Sequence, residues 1–140
     1  MNDSKIERYL KLAKNACYYS DCDRARVGCI LVYHNYVLSV GWNLESKTNP
    51  LQKKYNHLRG YNPDAPKQQN HIHAEMMAMS KVKSLDIDWS KVSMFVYRIL
   101  KNDSKGLAKP CPACEGFARV LGIHDFYYTT STGWIYEKIM

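Results

Sequence analysis

No apolar run in this 140-residue chain approaches the length needed to cross a bilayer, and no apolar h-region follows the charged, amphipathic N-terminal segment. These two absences lead us to expect a cytoplasmic protein without membrane contact. Internal repeats and low-complexity tracts are also missing, which excludes repeat arrays and linker-like chains. Acidic residues are the minority, 13 against 20 Lys and Arg, for a formal net charge of +7. That surplus suits a phosphorylated or polyanionic partner, or is simply a solvated basic surface. The cysteines do not make an even set. Five are present, two of them in a C-x-x-C, and in a reducing compartment this favours metal ligation over disulfides. The rest is ordinary: 46% hydrophobic and 24% charged residues, in a length that suits one domain over 1–140 with a buried core.

The pattern along the chain predicts α-β-β-α-β-α-β-β. Asp3 or Ser4 can cap a first helix whose apolar stripe is Ile6, Leu10, Ala13 and Cys17. Val27–Tyr33 is a nearly continuous apolar run, expected of a strand buried on both faces. His34-Asn35 reads as a turn and Tyr36–Trp42 as the partner strand. Asn43–Asn70 is irregular, with Asn49-Pro50, Gly60, Asn62-Pro63 and Ala65-Pro66 among basic residues and a short basic helix over Leu51–Leu58. A helix over His73–Lys83 and a strand over Val92–Leu100 follow, then a polar loop from Asn102 to Lys109. Pro110 and Pro112 flank Cys111 at the start of a helix that Gly122 stops. Phe126–Thr130 and Trp134–Ile139 are strands joined by a turn too short for a parallel crossover, so they should be antiparallel. Alternating strands and helices imply a layered α/β sandwich with a mixed sheet.

Two short motifs carry chemistry. His73-Ala74-Glu75 and Pro110-Cys111-Pro112-Ala113-Cys114 each occur once, each at a predicted helix start. H-x-E with P-C-x-x-C resembles the signature of zinc nucleobase deaminases. Catalytic zinc keeps one position open, and His73, Cys111 and Cys114 supply three ligands. A helix N-terminus favours thiolate. Glu75 is then the proton carrier, taking a proton from the attacking water and passing it to the ring nitrogen and the departing ammonia. Burial would raise its pKa and suit it to both tasks. A structural zinc knot would need a fourth ligand, for which His71, Cys17, Cys22 and Cys29 are available, but it gives Glu75 no role. A redox dithiol would not require His73 or Glu75.

With these residues in view, the chain resembles the cytidine and deoxycytidylate deaminase superfamily. Asn70–Glu75 and Lys109–Cys114 look like its two zinc motifs. Cys22–Asn43 (CDRARVGCILVYHNYVLSVGWN) looks like the strand pair of deoxycytidylate deaminases, whereas the closing hairpin looks more like that of free-nucleoside deaminases. The resemblance implies a three-layer α/β/α sandwich around a mixed five-stranded sheet, a Zn2+ cofactor and hydrolytic deamination of a cytosine nucleotide or nucleoside, deoxycytidylate first. It also implies that Asn43 bonds the substrate sugar, that the Ala74 backbone meets the pyrimidine carbonyl, and that copies of the chain assemble into an oligomer. Arg24, Arg26 and Arg98 are candidate 5′-phosphate contacts, because guanidinium pairs bidentately with phosphate. His71 is a candidate pocket residue, and Tyr127 and Tyr128 could stack on a base. Two alternatives stand beside this reading. One is a deaminase of cytosine or adenine in single-stranded DNA or RNA, tracked by the basic Asn43–Asn70 segment with Tyr55 and Tyr61. The other is a non-catalytic, zinc-stabilised binding domain.

Overall fold

The computed structural model describes residues 1–60 and 71–139. The Asn62-Pro63 and Ala65-Pro66 turns expected from sequence lie outside the described residues, as do Tyr61 and Asn70.

Helix α1 runs Asp3–Cys17. Its cap is Asn2, one residue before the expected Asp3 or Ser4: the Asn2 side chain accepts the Lys5 N–H at 2.9 Å. The stripe Ile6, Leu10, Ala13 and Cys17 is buried, joined by Tyr9 and Ala16. Strands β1 (Ala25–Tyr33) and β2 (Tyr36–Trp42) form a hairpin. His34 and Asn35 take φ of 50° and 67°, the pairing of positive angles that a tight two-residue hairpin turn requires. Asn49 accepts the N–H groups of Leu51 and Gln52 and Pro50 fills the first turn of α2 (Pro50–Tyr55), which tightens into one 3-10 turn over Asn56–Arg59. The Asn-Pro read as irregular is therefore a helix start, one residue before the predicted basic helix. Helix α3 (Ala74–Val82), strand β3 (Val92–Leu100), helix α4 (Pro112–Leu121) and strands β4 (Asp125–Thr129) and β5 (Trp134–Lys138) complete the order.

The strands lie in the order β2-β1-β3-β4-β5. Only β3 and β4 are parallel, joined through α4, and β4–β5 is antiparallel as expected. Alternation along the strands sorts their side chains into two layers. Cys29, Leu31, Met94 and Val96 pack with α3 and α4, whereas Ile30, Val32 and Phe95 pack with α1. Helices on both faces make three layers. This also explains the continuous apolar run of β1, whose neighbours are both antiparallel: the cause is covered faces, not a parallel sheet.

One close approach positions the rest. A Cβ at Gly41 of β2 would stand 2.2 Å from the Ala74 carbonyl oxygen and 2.6 Å from the Ala78 nitrogen. Only a hydrogen at this position lets the first turn of α3 lie directly on β2. We therefore expect Gly41→Ala to cost about 1–3 kcal/mol by overpacking, read as a lower urea midpoint. Gly133→Ala, where nothing lies within 4 Å of the added carbon, should stay within about 0.5 kcal/mol. Equal midpoints for the two variants would refute the close approach.

Candidate active site

His73 is the residue immediately before α3, in extended conformation, and its side chain makes no capping bond. Its ring is thereby left for other work. Cys111 holds the same position before α4, with Pro112 in the first turn and Cys114 one turn in. Two helix N-termini thus meet. His73 Nδ1 lies 3.3 Å from Cys111 Sγ and 3.5 Å from Cys114 Sγ. All three ligand atoms lie within 4.8 Å of one another. Tetrahedral zinc with ordinary Zn–N and Zn–S bonds wants N···S separations of about 3.6 Å, so the trio fits Zn2+. Among the described residues no fourth Cys, His or carboxylate joins this group. Of the other cysteines weighed from sequence as extra ligands, Cys17 is buried with its thiol on the Ala13 and Tyr97 carbonyls, and Cys29 is buried near enough to Glu75 and Cys114 to interact with their charges but does not join the group.

The electrostatics follow from burial. Glu75 is only 5% exposed, in the first turn of α3. Burial raises its pKa, the negative charge of Cys111 adds to the rise, and His73 pulls it back in part. Cys111 is held down to about 4, chiefly by the hydrogen bond from Cys114 and then by His73. Cys114 goes the other way, because it donates to Cys111 and is fully buried. Burial alone would depress His73, but the bond to Cys111 and the charges of Glu75 and Cys111 together leave it raised.

These groups open into a cavity of about 240 Å³. Its walls are Ala25 and Val27 of β1, Asn43, the His73–Glu75 turn, Arg98 of β3, and Leu107 to Lys109 with Cys111. A larger cavity of about 590 Å³ lies across the sheet against α1 and holds none of the metal-site residues. Size therefore does not mark the chemistry here.

The structure brings together His73, Ala74, Glu75, Cys111, Asn43 and Arg98 around one cavity. The Asn43 carboxamide spans the end of β1: Oδ1 accepts the Val27 N–H at 2.8 Å and Nδ2 donates to the Ala25 carbonyl at 3.0 Å. Arg24 is exposed and is not a wall of the cavity. Arg26 lies outside it too, paired with Asp103 at 2.9 Å and stacked over Tyr18. His71 is half-buried beside the Leu44–Ile72 bridge and lines no part of the cavity. Tyr127 stacks on Phe95 at 4.7 Å, and the Tyr128 hydroxyl donates to Glu137; neither lines the cavity.

Two parts of the site escaped sequence reasoning. The first is a buried polar relay. Gln52 has no exposed surface; its Oε1 accepts the His73 N–H at 3.0 Å and its Nε2 donates to Asn56 Oδ1 at 2.7 Å. Arg59 Nε donates to the same Asn56 oxygen at 2.9 Å. The irregular basic segment, with its short helix, thus pins the residue that carries the imidazole. The i,i+4 spacing of Gln52 and Asn56, amid lysines, was its one visible signal. The second is the Asn102–Lys109 loop. It folds back on β3, with Gly106 N–H on the Arg98 carbonyl at 2.9 Å and Ala108 N–H on the Thr129 carbonyl at 2.9 Å. Leu107 and Ala108 become cavity wall as a result.

The family model for the cytidine and deoxycytidylate deaminase zinc-binding region matches residues 3–130. The chain belongs to this family. No curated protein sequence matches it significantly. Among solved structures it is similar to the dCMP deaminase of cyanophage S-TIM5, with a TM-score of 0.63 at 24% identity over 93% of this chain and 86% of that one. The cytidine deaminase of Burkholderia pseudomallei gives 0.62 at 16% identity over 99% and 93%. That of Mycobacterium leprae gives 0.54 at 17% over 93% and 91%. The shared fold is cytidine deaminase-like.

Thiol chemistry offers a direct check. In metal-free protein at pH 6, Cys111, with a pKa of about 4, is already thiolate, whereas burial pushes Cys17 up to about 12. The thiolate is the form that alkylates. Iodoacetamide should therefore label Cys111 first and spare Cys17, with zinc protecting Cys111, as read by peptide mass spectrometry. Labelling unaffected by zinc would contradict the assignment.

Proposed function

We propose that this chain is a zinc-dependent hydrolase that replaces the exocyclic amine of cytosine with oxygen in a free nucleotide or nucleoside, releasing ammonia. Deoxycytidylate, giving deoxyuridylate, is the first choice of substrate. The observation that carries the reading is the buried Glu75 carboxyl beside a three-ligand metal group at the wall of one small cavity. The bound state of the S-TIM5 relative, solved with dCMP and dUMP, supports the substrate class.

His73, Cys111 and Cys114 would hold the zinc, which supplies the acidity that makes water a nucleophile near neutral pH. Glu75 does the proton work. It accepts a proton from the attacking water and delivers it to the ring nitrogen next to the reacting carbon. The carbon–oxygen bond forms; Glu75 then takes the remaining proton from the added hydroxyl and hands it to the amine, so that the carbon–nitrogen bond breaks, the carbonyl forms and ammonia leaves. A carboxyl with an ordinary pKa would hold that proton poorly, and burial corrects this. Ala74 opens α3, where backbone N–H groups have no partner inside the helix. Its N–H is therefore suited to the pyrimidine carbonyl. Asn43 keeps one amide hydrogen and one lone pair beyond its bonds to β1, enough to hold a sugar hydroxyl.

The polynucleotide alternative loses one of its supports. Tyr55, read as a base-stacking residue, packs on Phe117 at 5.3 Å. Its companion Tyr61 lies outside the described residues. A purely structural zinc domain gives no reason to bury an acid at Glu75, which is costly without a task.

Zinc-loaded protein should release ammonia from at least one of deoxycytidylate, deoxycytidine and cytidine. Glu75→Gln, with its zinc content unchanged, should lose about 10²- to 10⁴-fold in kcat. Ammonia from a cytosine-containing single strand alone would move the reading to nucleic acid. Silence on every substrate, or full activity in Glu75→Gln, would end it.

A further inference from the structure

Three arginines are candidates for a phosphate contact, and strand geometry separates them. Along β1 the odd-numbered side chains Val27, Cys29 and Leu31 join the core under α3 and α4, and the even-numbered Ile30 and Val32 join the core under α1. Arg26 has even parity and so leaves the sheet on the α1 side, where Asp103 neutralises it at 2.9 Å. Arg24 precedes β1 and is exposed. Along β3 the parity is reversed in number: Met94 and Val96 face α3 and α4 while Phe95 faces α1. Arg98 therefore projects onto the zinc-site face and lines the cavity with His73, Glu75 and Asn43.

Its guanidinium is incompletely satisfied there. Nη1 donates to the Leu107 carbonyl at 3.3 Å, but Nε is buried and has no hydrogen-bond partner. No carboxylate among the described residues forms an ion pair with it. The other cationic side chain of the cavity wall, Lys109, is paired with Glu137 at 3.4 Å. A buried guanidinium N–H without a partner costs free energy that an anion in the cavity would return. Nε and the neighbouring Nη2 form one of the two edges by which guanidinium grips phosphate oxygens in pairs.

Resting on the deaminase reading above, we infer that Arg98, and neither Arg24 nor Arg26, recognises the substrate's 5′-phosphate and makes this chain select a cytosine nucleoside monophosphate over the free nucleoside. The backbone supports the placement. Arg98 N–H donates to Thr129 Oγ1 at 3.3 Å, and its carbonyl accepts the Gly106 N–H at 2.9 Å. The strand and the returning loop thus hold the guanidinium at the cavity from both sides.

The test compares kcat/KM for deoxycytidylate with that for deoxycytidine on zinc-loaded protein. The unaltered chain should favour the monophosphate by about tenfold or more. Arg98→Gln should reduce that ratio by about 10- to 100-fold, chiefly through a higher KM for the monophosphate. Arg98→Lys, which keeps the charge but loses the paired grip, should reduce it less. Arg26→Gln should leave the ratio where it was. Should Arg98→Gln fail to fold, Arg98→Lys carries the test, together with product inhibition of the unaltered protein. Deoxyuridylate should then inhibit about tenfold more strongly than deoxyuridine. A wild-type ratio near one, equal inhibition by the two products, or a ratio that survives at Arg98 and collapses at Arg26 would overturn the inference and leave the deaminase reading intact. No ammonia from any cytosine compound would remove that reading, and this inference with it.

Discussion

Two thiolates and a carboxylate cannot share a buried site without a cation, and the rest of this structure depends on that repulsion. Cys111, Cys114 and Glu75 are near enough to shift one another's protonation, and burial denies them the water that would screen them. In metal-free protein they settle the conflict by sharing protons: Cys114 keeps its own, Cys111 gives its up, and His73 and Glu75 are both raised. A divalent cation replaces that compromise with a single favourable arrangement. The fold prepares for it by aiming two helix N-termini at one point, where each dipole favours the anionic side chains it presents. Gly41 then seats α3 on the sheet, and the Gln52–Asn56 relay holds the His73 backbone.

What could be read from the sequence was what is local along the chain. His73 and Glu75 sit within one turn, as do Cys111 and Cys114, so each half of the site appears as a short motif. The antiparallel final hairpin was legible because a brief turn leaves no other option. The strand over Val27–Tyr33 and its turn were legible from apolar pattern and Asn35. Three-dimensional conditions were not. Which arginine reaches the cavity depends on strand parity relative to two packed layers, so although Arg98 stood out in sequence by interrupting an apolar strand, Arg24 and Arg26 remained candidates beside it. Gln52 looked like a solvated residue among lysines, because nothing local says that α4 and α3 will cover it. Tyr55 looked available for stacking, until Phe117 is seen to occupy its face.

On the proposed reading, substrate choice is a matter of the cavity walls rather than of the metal. The candidate metal ligands and Glu75 lie at the starts of α3 and α4, whereas the rest of the cavity wall comes mainly from β1, β3 and the loop that folds back on β3. That loop gives the cavity its neutral wall of Leu107 and Ala108 and ties Lys109 to Glu137. Arg98 is left as the cavity-wall cation without an ion-pair partner among the described residues.

The measurement closest to the centre of this argument is a crystal structure of the zinc-loaded protein with anomalous data at the zinc edge. One zinc should be bound by His73 Nδ1, Cys111 Sγ and Cys114 Sγ, with a solvent oxygen in the fourth position within hydrogen-bond reach of the Glu75 carboxyl. A fourth protein ligand on the metal, or Glu75 itself bound to it, would contradict a site built to activate water.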